Sequence, residues 1–269
     1  MNISDDFAES PDSHWTHVTT GGAYLRTSKS TLRLGYDSAR PDRYSDSQID
    51  DYTMLSKNDY IWKPPLRMTV RARFSHRAAD AKSTEKTKGA LRGTAGFGFW
   101  NKPFTMQGNW FTFPEAIWFF YSAPPSNMAL VPGLPGWGWK AQVVHTTAAS
   151  TLANAIPTFA NAVYGRVQQR NQPSGYAMQR LTGTHEAMVN DDMTEWHTYT
   201  LEWRERDSRF WVDDELLLTV PKSPTKPLGF VAWLDNEYAV VTPKGELRFG
   251  KTSAGKQWLE IDSITIEHL

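Results

Sequence analysis

Residues Leu66–Phe74 read LRMTVRARF. Leu66, Met68, Val70, Ala72 and Phe74 fall on one side of this nine-residue alternation, and Arg67, Thr69, Arg71 and Arg73 on the other. Successive side chains of an extended segment point to opposite faces, so a period of two marks a strand with one face in a core and one in water. On a helix the same order would mix arginines into the apolar stripe. A chain that contains such a strand must supply partners for its edges and a second layer for its apolar face.

Several other segments supply them. Residues 31–36 (TLRLGY) also alternate. Residues 96–100 (GFGFW) and 116–122 (AIWFFYS) are apolar on both faces, which predicts central strands covered on two sides. Further strands are expected over 196–203, 209–212, 216–220, 229–234, 238–241 and 259–267, with Asp213-Asp214 as a tight hairpin turn. Residues 76–93 are polar and read as an exposed, mobile loop, and the Pro- and Gly-rich 124–139 also reads as loop. One segment departs from this pattern. In 150–171, Leu152, Ile156, Phe159, Val163 and Val167 recur at spacings of three or four, which predicts an amphipathic helix interrupted near Pro157. It reads as an insertion that covers the sheets or closes over a cleft. Many short strands with frequent turn signals predict an all-β, jelly-roll sandwich of two antiparallel sheets with one helical insertion, in a single domain over 1–269.

Composition narrows the function. Lys plus Arg balances Asp plus Glu at 29 each, so no excess of positive charge invites nucleic acid. No apolar run approaches the roughly 18 residues of a membrane span, and membrane partners are not expected. There is no cysteine, which removes disulfides and thiolate metal sites. Residues 1–10 carry acids and no apolar stretch, so a cytoplasmic location is expected. Phosphate-loop, paired-His zinc and nucleophile-elbow patterns are missing. The unusual quantity is 12 Trp, 10 Tyr and 13 Phe, which serve either a core or a ligand platform.

Residues 196–214 (WHTYTLEWRERDSRFWVDD) place His197, Tyr199, Trp203, Phe210, Val212 and Asp213 at distinctive spacings. This pattern resembles the concanavalin-like retaining β-glucanases, the laminarinases and lichenases. The 259–267 segment (LEIDSITIE) resembles their closing strand, and Asp5-Asp6-Phe7 their opening. The resemblance implies a concanavalin-like sandwich. It also implies that Asp262 is placed to help hold a structural calcium, the only cofactor expected.

The resemblance breaks where the chemistry should be. Retaining glycosidases need two carboxyl groups about 5 Å apart across one sugar, and these glucanases carry them on one strand. The matching strand here carries Glu115, Ile117, Phe119 and Tyr121 on one face, and Ala116, Trp118, Phe120 and Ser122 on the other. Glu115 fits the nucleophile position, while Ile117 and Phe119 stand in place of the assisting acid and the acid/base.

Four segments set polar groups among aromatics. From them and from the 115–122 strand, Glu115, Asp51 and His145 are candidate catalytic groups. Trp100, Trp118, Tyr121, Trp139, Trp233, Asp235 and Asn236 are candidate ligand contacts. Three function classes fit. One is a glycan-binding or glycosidase-like protein without the usual carboxyl pair. The second is an intracellular isomerase, cyclase or lyase acting on an apolar small molecule by acid/base chemistry. The third is a sandwich with a purely structural or protein-binding role. Oligomeric state is not readable from these residues.

Overall fold

The computed structural model describes residues 2–8, 11–56, 59–80, 87–102, 114–146, 179–180, 182–242 and 246–269. The helix expected over 150–171, and part of the loop expected over 76–93, lie outside them. The strands are β1 (Ile3–Asp5), β2 (Thr16–Thr20), β3 (Ala23–Thr27), β4 (Leu32–Tyr36), β5 (Asp46–Asp50), β6 (Leu66–Phe74), β7 (Thr94–Trp100), β8 (Glu115–Ser122) and β9 (Asn127–Met128). They continue with β10 (Gly138–His145), β11 (His185–Met188), β12 (His197–Trp203), β13 (Ser208–Val212), β14 (Glu215–Val220), β15 (Gly229–Asp235), β16 (Glu237–Val241), β17 (Leu247–Lys251) and β18 (Gln257–His268).

Two large antiparallel sheets form a jelly-roll sandwich. One has eight strands in the order β14-β13-β12-β6-β18-β4-β3, with β1 also paired to β18; the other has seven, β11-β10-β8-β7-β15-β5-β2. A small sheet, β17-β16-β9, stands apart. Among the described residues no helix is long and apolar enough to cross a membrane.

Side-chain parity decides what lies between the sheets. The apolar side of β6 is buried along its whole length while its arginines remain half-exposed. From the facing sheet, Phe97 and Phe99 of β7, Ile117, Phe119 and Tyr121 of β8, and Phe230 and Leu234 of β15 point inward. Their rings meet those of the opposite sheet: Phe119 and Phe210 lie 5.4 Å apart, Phe97 and Tyr199 5.2 Å, Phe99 and Trp203 5.5 Å. Each such side chain contributes about 1.5–3 kcal/mol relative to exposure.

The residues carrying the glucanase-like pattern have structural roles. Tyr199, Trp203, Phe210 and Val212 are core. Asp213 and Asp214 have φ of +48° and +69°, the left-handed pair of a two-residue hairpin turn. His197 holds that turn: its Nδ1 lies 2.5 Å from Asp213 Oδ2 and its Nε2 3.0 Å from the Asp192 carbonyl. Asp213 Oδ1 accepts from Thr198 N at 2.8 Å. Both imidazole nitrogens face acceptors, which favours the cation. Burial pulls the His197 pKa down, but the bonds to Asp213 and to the Asp192 carbonyl outweigh it and the net shift is upward.

A raised histidine pKa adds stability that is complete below the unfolded value of about 6.5 and fades as pH rises through the folded value. We therefore expect His197→Ala to cost about 1 kcal/mol at pH 5.5 and less at pH 8, since the half-exposed Asp213 limits the pair. Urea denaturation at the two pH values checks this; equal losses would contradict it.

Candidate functional site

The face of the seven-stranded sheet turned away from the sandwich interior gathers most of the chemistry. Register places Lys140, Phe120, Gly96, Trp233 and Gln48 in one row across β10, β8, β7, β15 and β5. The next row reads Gln142, Trp118, Gly98, Val231 and Asp50.

Two glycines shape the middle of this face. A Cβ on Gly96 would stand 3.0 Å from the Trp233 ring and 2.2 Å from the Phe119 carbonyl oxygen; one on Gly98 would stand 2.5 Å from Trp118 Cα. With β7 bare at these points, rings from β8 and β15 close across it. Trp118 lies 5.3 Å from Trp233, 5.8 Å from Trp100 and 5.2 Å from Phe120, on which it stacks. Tyr52, Tyr60 and Met128 border the cluster. Trp100 and Trp118 remain partly exposed.

Every indole N–H in this platform is already used. Trp118 donates to Gln142 Oε1 at 2.6 Å, Trp100 to Tyr52 Oη at 2.7 Å, and Trp233 to Thr94 Oγ1 at 2.9 Å. What the platform offers outward is the partly exposed rings of Trp100 and Trp118.

Of the residues expected to bind a ligand, Trp100, Trp118 and Trp233 are thus brought together. Tyr121 and Trp139 are not, and their placement corrects the expectation. Both have the inward parity of β8 and β10 and are fully buried. The Tyr121 hydroxyl donates to the Leu91 carbonyl at 2.8 Å and accepts from Ala79 N at 3.2 Å. Asn236 is also committed internally. Its Oδ1 accepts from Ser45 N at 2.9 Å, and its Nδ2 faces the carbonyls of Arg40, Arg43 and Thr252 at 3.0–3.1 Å, stapling three loops.

The three expected catalytic groups do not converge. Glu115 and His145 are cross-strand neighbours with Oε1 and Nδ1 3.4 Å apart, but they lie at one end of the sheet with the inward parity. Glu115 is therefore not on the platform face, and the β8 residues that are (Ala116, Trp118, Phe120 and Ser122) include no carboxylate. Asp51 accepts from Trp62 Nε1, and from Phe230 N at 2.9 Å. Burial pushes its carboxyl up to about 7. These bonds tie down the chain after β5.

An acid pair does occur on the outer face, between other strands. Asp46 of β5 stands directly opposite Asp235 of β15. Opposed residues on neighbouring strands have Cβ atoms about 4.5–5.5 Å apart. Asp235 Oδ1 accepts from Thr94 Oγ1 at 2.8 Å, Thr94 N at 3.2 Å and Glu237 N at 2.9 Å. Burial, then the Glu237 charge, raises its carboxyl to about 7. Asp46 is also raised, by burial and then by the charges of Asp235, Glu237 and Asp50, and its Oδ1 is buried without a hydrogen-bond partner. Asp46 was missed in the sequence because the four residues between Tyr44 and Ile49 in YSDSQID are all polar and show no strand alternation. Its neighbour Asp50 accepts four hydrogen bonds, from Tyr52 N, Thr53 N, Thr53 Oγ1 and Gln48 Nε2, and serves as a turn anchor.

A calcium at Asp262 does not fit the residues present. Asp262 is the extra residue of a bulge in β18, and its carboxylate takes Arg71 Nη1 at 2.9 Å. Calcium wants six to eight oxygen ligands, and among the described residues no three His, Asp or Glu side chains are grouped to hold an ion.

Comparison with known proteins agrees with the fold. The model of glycosyl hydrolases family 16 matches residues 155–240. No curated protein sequence matches the chain. A prokaryotic β-1,3-1,4-glucanase (lichenase) from a mouse hindgut metagenome is 12% identical with a TM-score of 0.51, over 100% of this chain and 99% of its own. An endo-acting O-glycanase of the human gut microbiota that initiates mucin breakdown is 12% identical with a TM-score of 0.51, over 99% of this chain and 98% of its own. A GlcNAcα1-4Gal-releasing endo-β-galactosidase from Clostridium perfringens is 14% identical with a TM-score of 0.49. The match covers 98% of this chain, which spans 61% of that protein's length. At these identities the likeness is one of fold: the chain has the concanavalin-like, glycosidase-like sandwich of the laminarinase and lichenase type.

Proposed function

We propose that this protein binds a glycan on the outer face of its seven-stranded sheet, and that β8 supplies no acid pair to cleave it. The supporting observation is the cluster of Trp100, Trp118, Phe120 and Trp233, whose indole N–H groups are engaged internally and in which the rings of Trp100 and Trp118 remain partly exposed. Pyranose rings carry an apolar C–H face that stacks on such rings, while their hydroxyls suit the polar groups that flank it. The glycosidase-like fold supports the same ligand class.

A second reading is favoured by the Asp46–Asp235 pair. Two buried carboxyls facing each other do not both ionise, and a pair that shares one proton can act as acid and base. Such a site would perform acid/base chemistry without the β8 strand.

Titrating laminarin, lichenan and mucin O-glycan oligosaccharides while following tryptophan fluorescence, with a parallel assay for new reducing ends, separates the two. Saturable binding without new reducing ends is expected. Cleavage that disappears in Asp235→Asn would favour the second reading, and no response to any of the three glycans would count against the first.

A further inference from the structure

Beside the platform lies a buried ion pair that no step so far has used. Lys140 Nζ and Glu186 Oε2 are 2.7 Å apart, with side-chain exposures of 3% and 1%. Such a pair seldom stabilises a fold beyond what apolar side chains of the same volume would do, because desolvating both charges offsets their attraction. Its effect here is directional. The second Glu186 oxygen accepts from Gln142 Nε2 at 2.5 Å, and Gln142 Oε1 accepts from Trp118 Nε1 at 2.6 Å.

Each member leaves its neighbour one choice. The indole is a donor only, so it must meet the amide oxygen of Gln142; the amide nitrogen is then left for an acceptor, and a carboxylate is an acceptor only. Lysine, a donor only, satisfies the other oxygen. All these residues belong to the same face: Lys140 and Gln142 alternate on β10, opposite Met188 and Glu186 on the edge strand β11 and opposite Phe120 and Trp118 on β8.

We infer that Lys140, Glu186 and Gln142 are positioning residues for Trp118: they lock its ring plane over Phe120 and withhold its N–H, so that the site selects ligands by a flat apolar face. This inference rests on the platform reading for its ligand, but not for its geometry. A ligand that needs an indole donor is selected against, since taking that N–H would strand the buried amide oxygen of Gln142.

The test uses the whole protein labelled with 15N at tryptophan, with Trp118→Phe identifying the Trp118 indole signal. In the unaltered protein that proton should exchange slowly with deuterium oxide. In Gln142→Met it should move upfield and exchange at least tenfold faster, while the core signals of Trp139 and Trp203 stay fixed and so report an intact fold. Affinity for whichever laminarin or lichenan oligosaccharide binds should fall about tenfold. The double variant Lys140→Met with Glu186→Gln keeps Gln142 and an amide oxygen to accept from it, and should leave both readouts within about twofold of the unaltered protein. A rapidly exchanging Trp118 indole in the unaltered protein would overturn the inference, as would Gln142→Met leaving both signal and affinity unchanged. If no oligosaccharide binds, the glycan reading fails by itself, and the indole measurements still decide the positioning role.

Discussion

Replacing Trp139 with alanine should lower stability by about 3–5 kcal/mol, the range for emptying a large aromatic site in a core. The indole is fully buried. It lies against Phe74 of the opposite sheet at 5.2 Å, Tyr199 at 5.5 Å, Phe97 at 5.7 Å and Phe119 at 6.0 Å. Four rings that reach it from four different strands cannot all collapse into the space it leaves, so the cavity persists and its cost adds to the lost burial. Trp118→Ala makes the contrast. That ring is partly exposed, and its removal should cost much less stability while weakening any stacked ligand by tenfold or more. Urea midpoints of the two variants check this. A Trp139→Ala loss no larger than that of Trp118→Ala would mean that the inward parity of β10 is wrong.

The second large effect concerns pH. Asp235 keeps its proton to about pH 7 in the fold, against a usual 3.8. Between those values the unfolded chain has released the proton and the native protein has not. The native state binds more protons, so stability falls as pH rises through this window and stays reduced above it. Asp46 and Asp51 are raised as well, and act in the same sense. The His197 contribution also fades upward. At the acid end Glu202, Asp192 and Asp213 are held low and give up stability only when protonated. The protein should therefore be most stable near about pH 4, where the two windows meet, and less so at pH 8. Asp235→Asn retains an oxygen for the three bonds from Thr94 and Glu237 but removes the ionisation. It should stabilise the protein at pH 8 by as much as about 4 kcal/mol, the equivalent of that shift. At pH 4 it should do almost nothing. Calorimetry at the two values checks the sign, and a variant destabilised equally at both would contradict it.

The fold was largely legible because alternation reports directly on layers. β6 appears with its exact bounds in LRMTVRARF, and the Asp213-Asp214 turn follows from two residues that accept left-handed geometry. The site was less legible, because alternation divides a strand into two faces without saying which one is turned outward. In β8 both faces are greasy, and the side that carries Glu115 and Tyr121 turned out to be the interior. Trp118 and Trp233 could be placed among aromatics from sequence, but a core ring and a platform ring have the same letter. Trp139 differs from Trp118 only in parity. Asn236 and Asp51 sit in turn-like sequence for the plain reason that they hold turns. Glu186 offered no signal, since its partners Lys140 and Gln142 lie more than 40 residues away and meet it only through pairing of β10 with β11.

The outer-face platform can be tested most directly by one titration: tryptophan fluorescence of the unaltered protein, Trp118→Ala and Tyr121→Phe against the same laminarin, lichenan and mucin oligosaccharides. At least one glycan should give a saturable change that vanishes in Trp118→Ala and survives in Tyr121→Phe. A response that persists without Trp118, or one lost with the buried Tyr121 hydroxyl in a protein that remains folded, would place the ligand elsewhere.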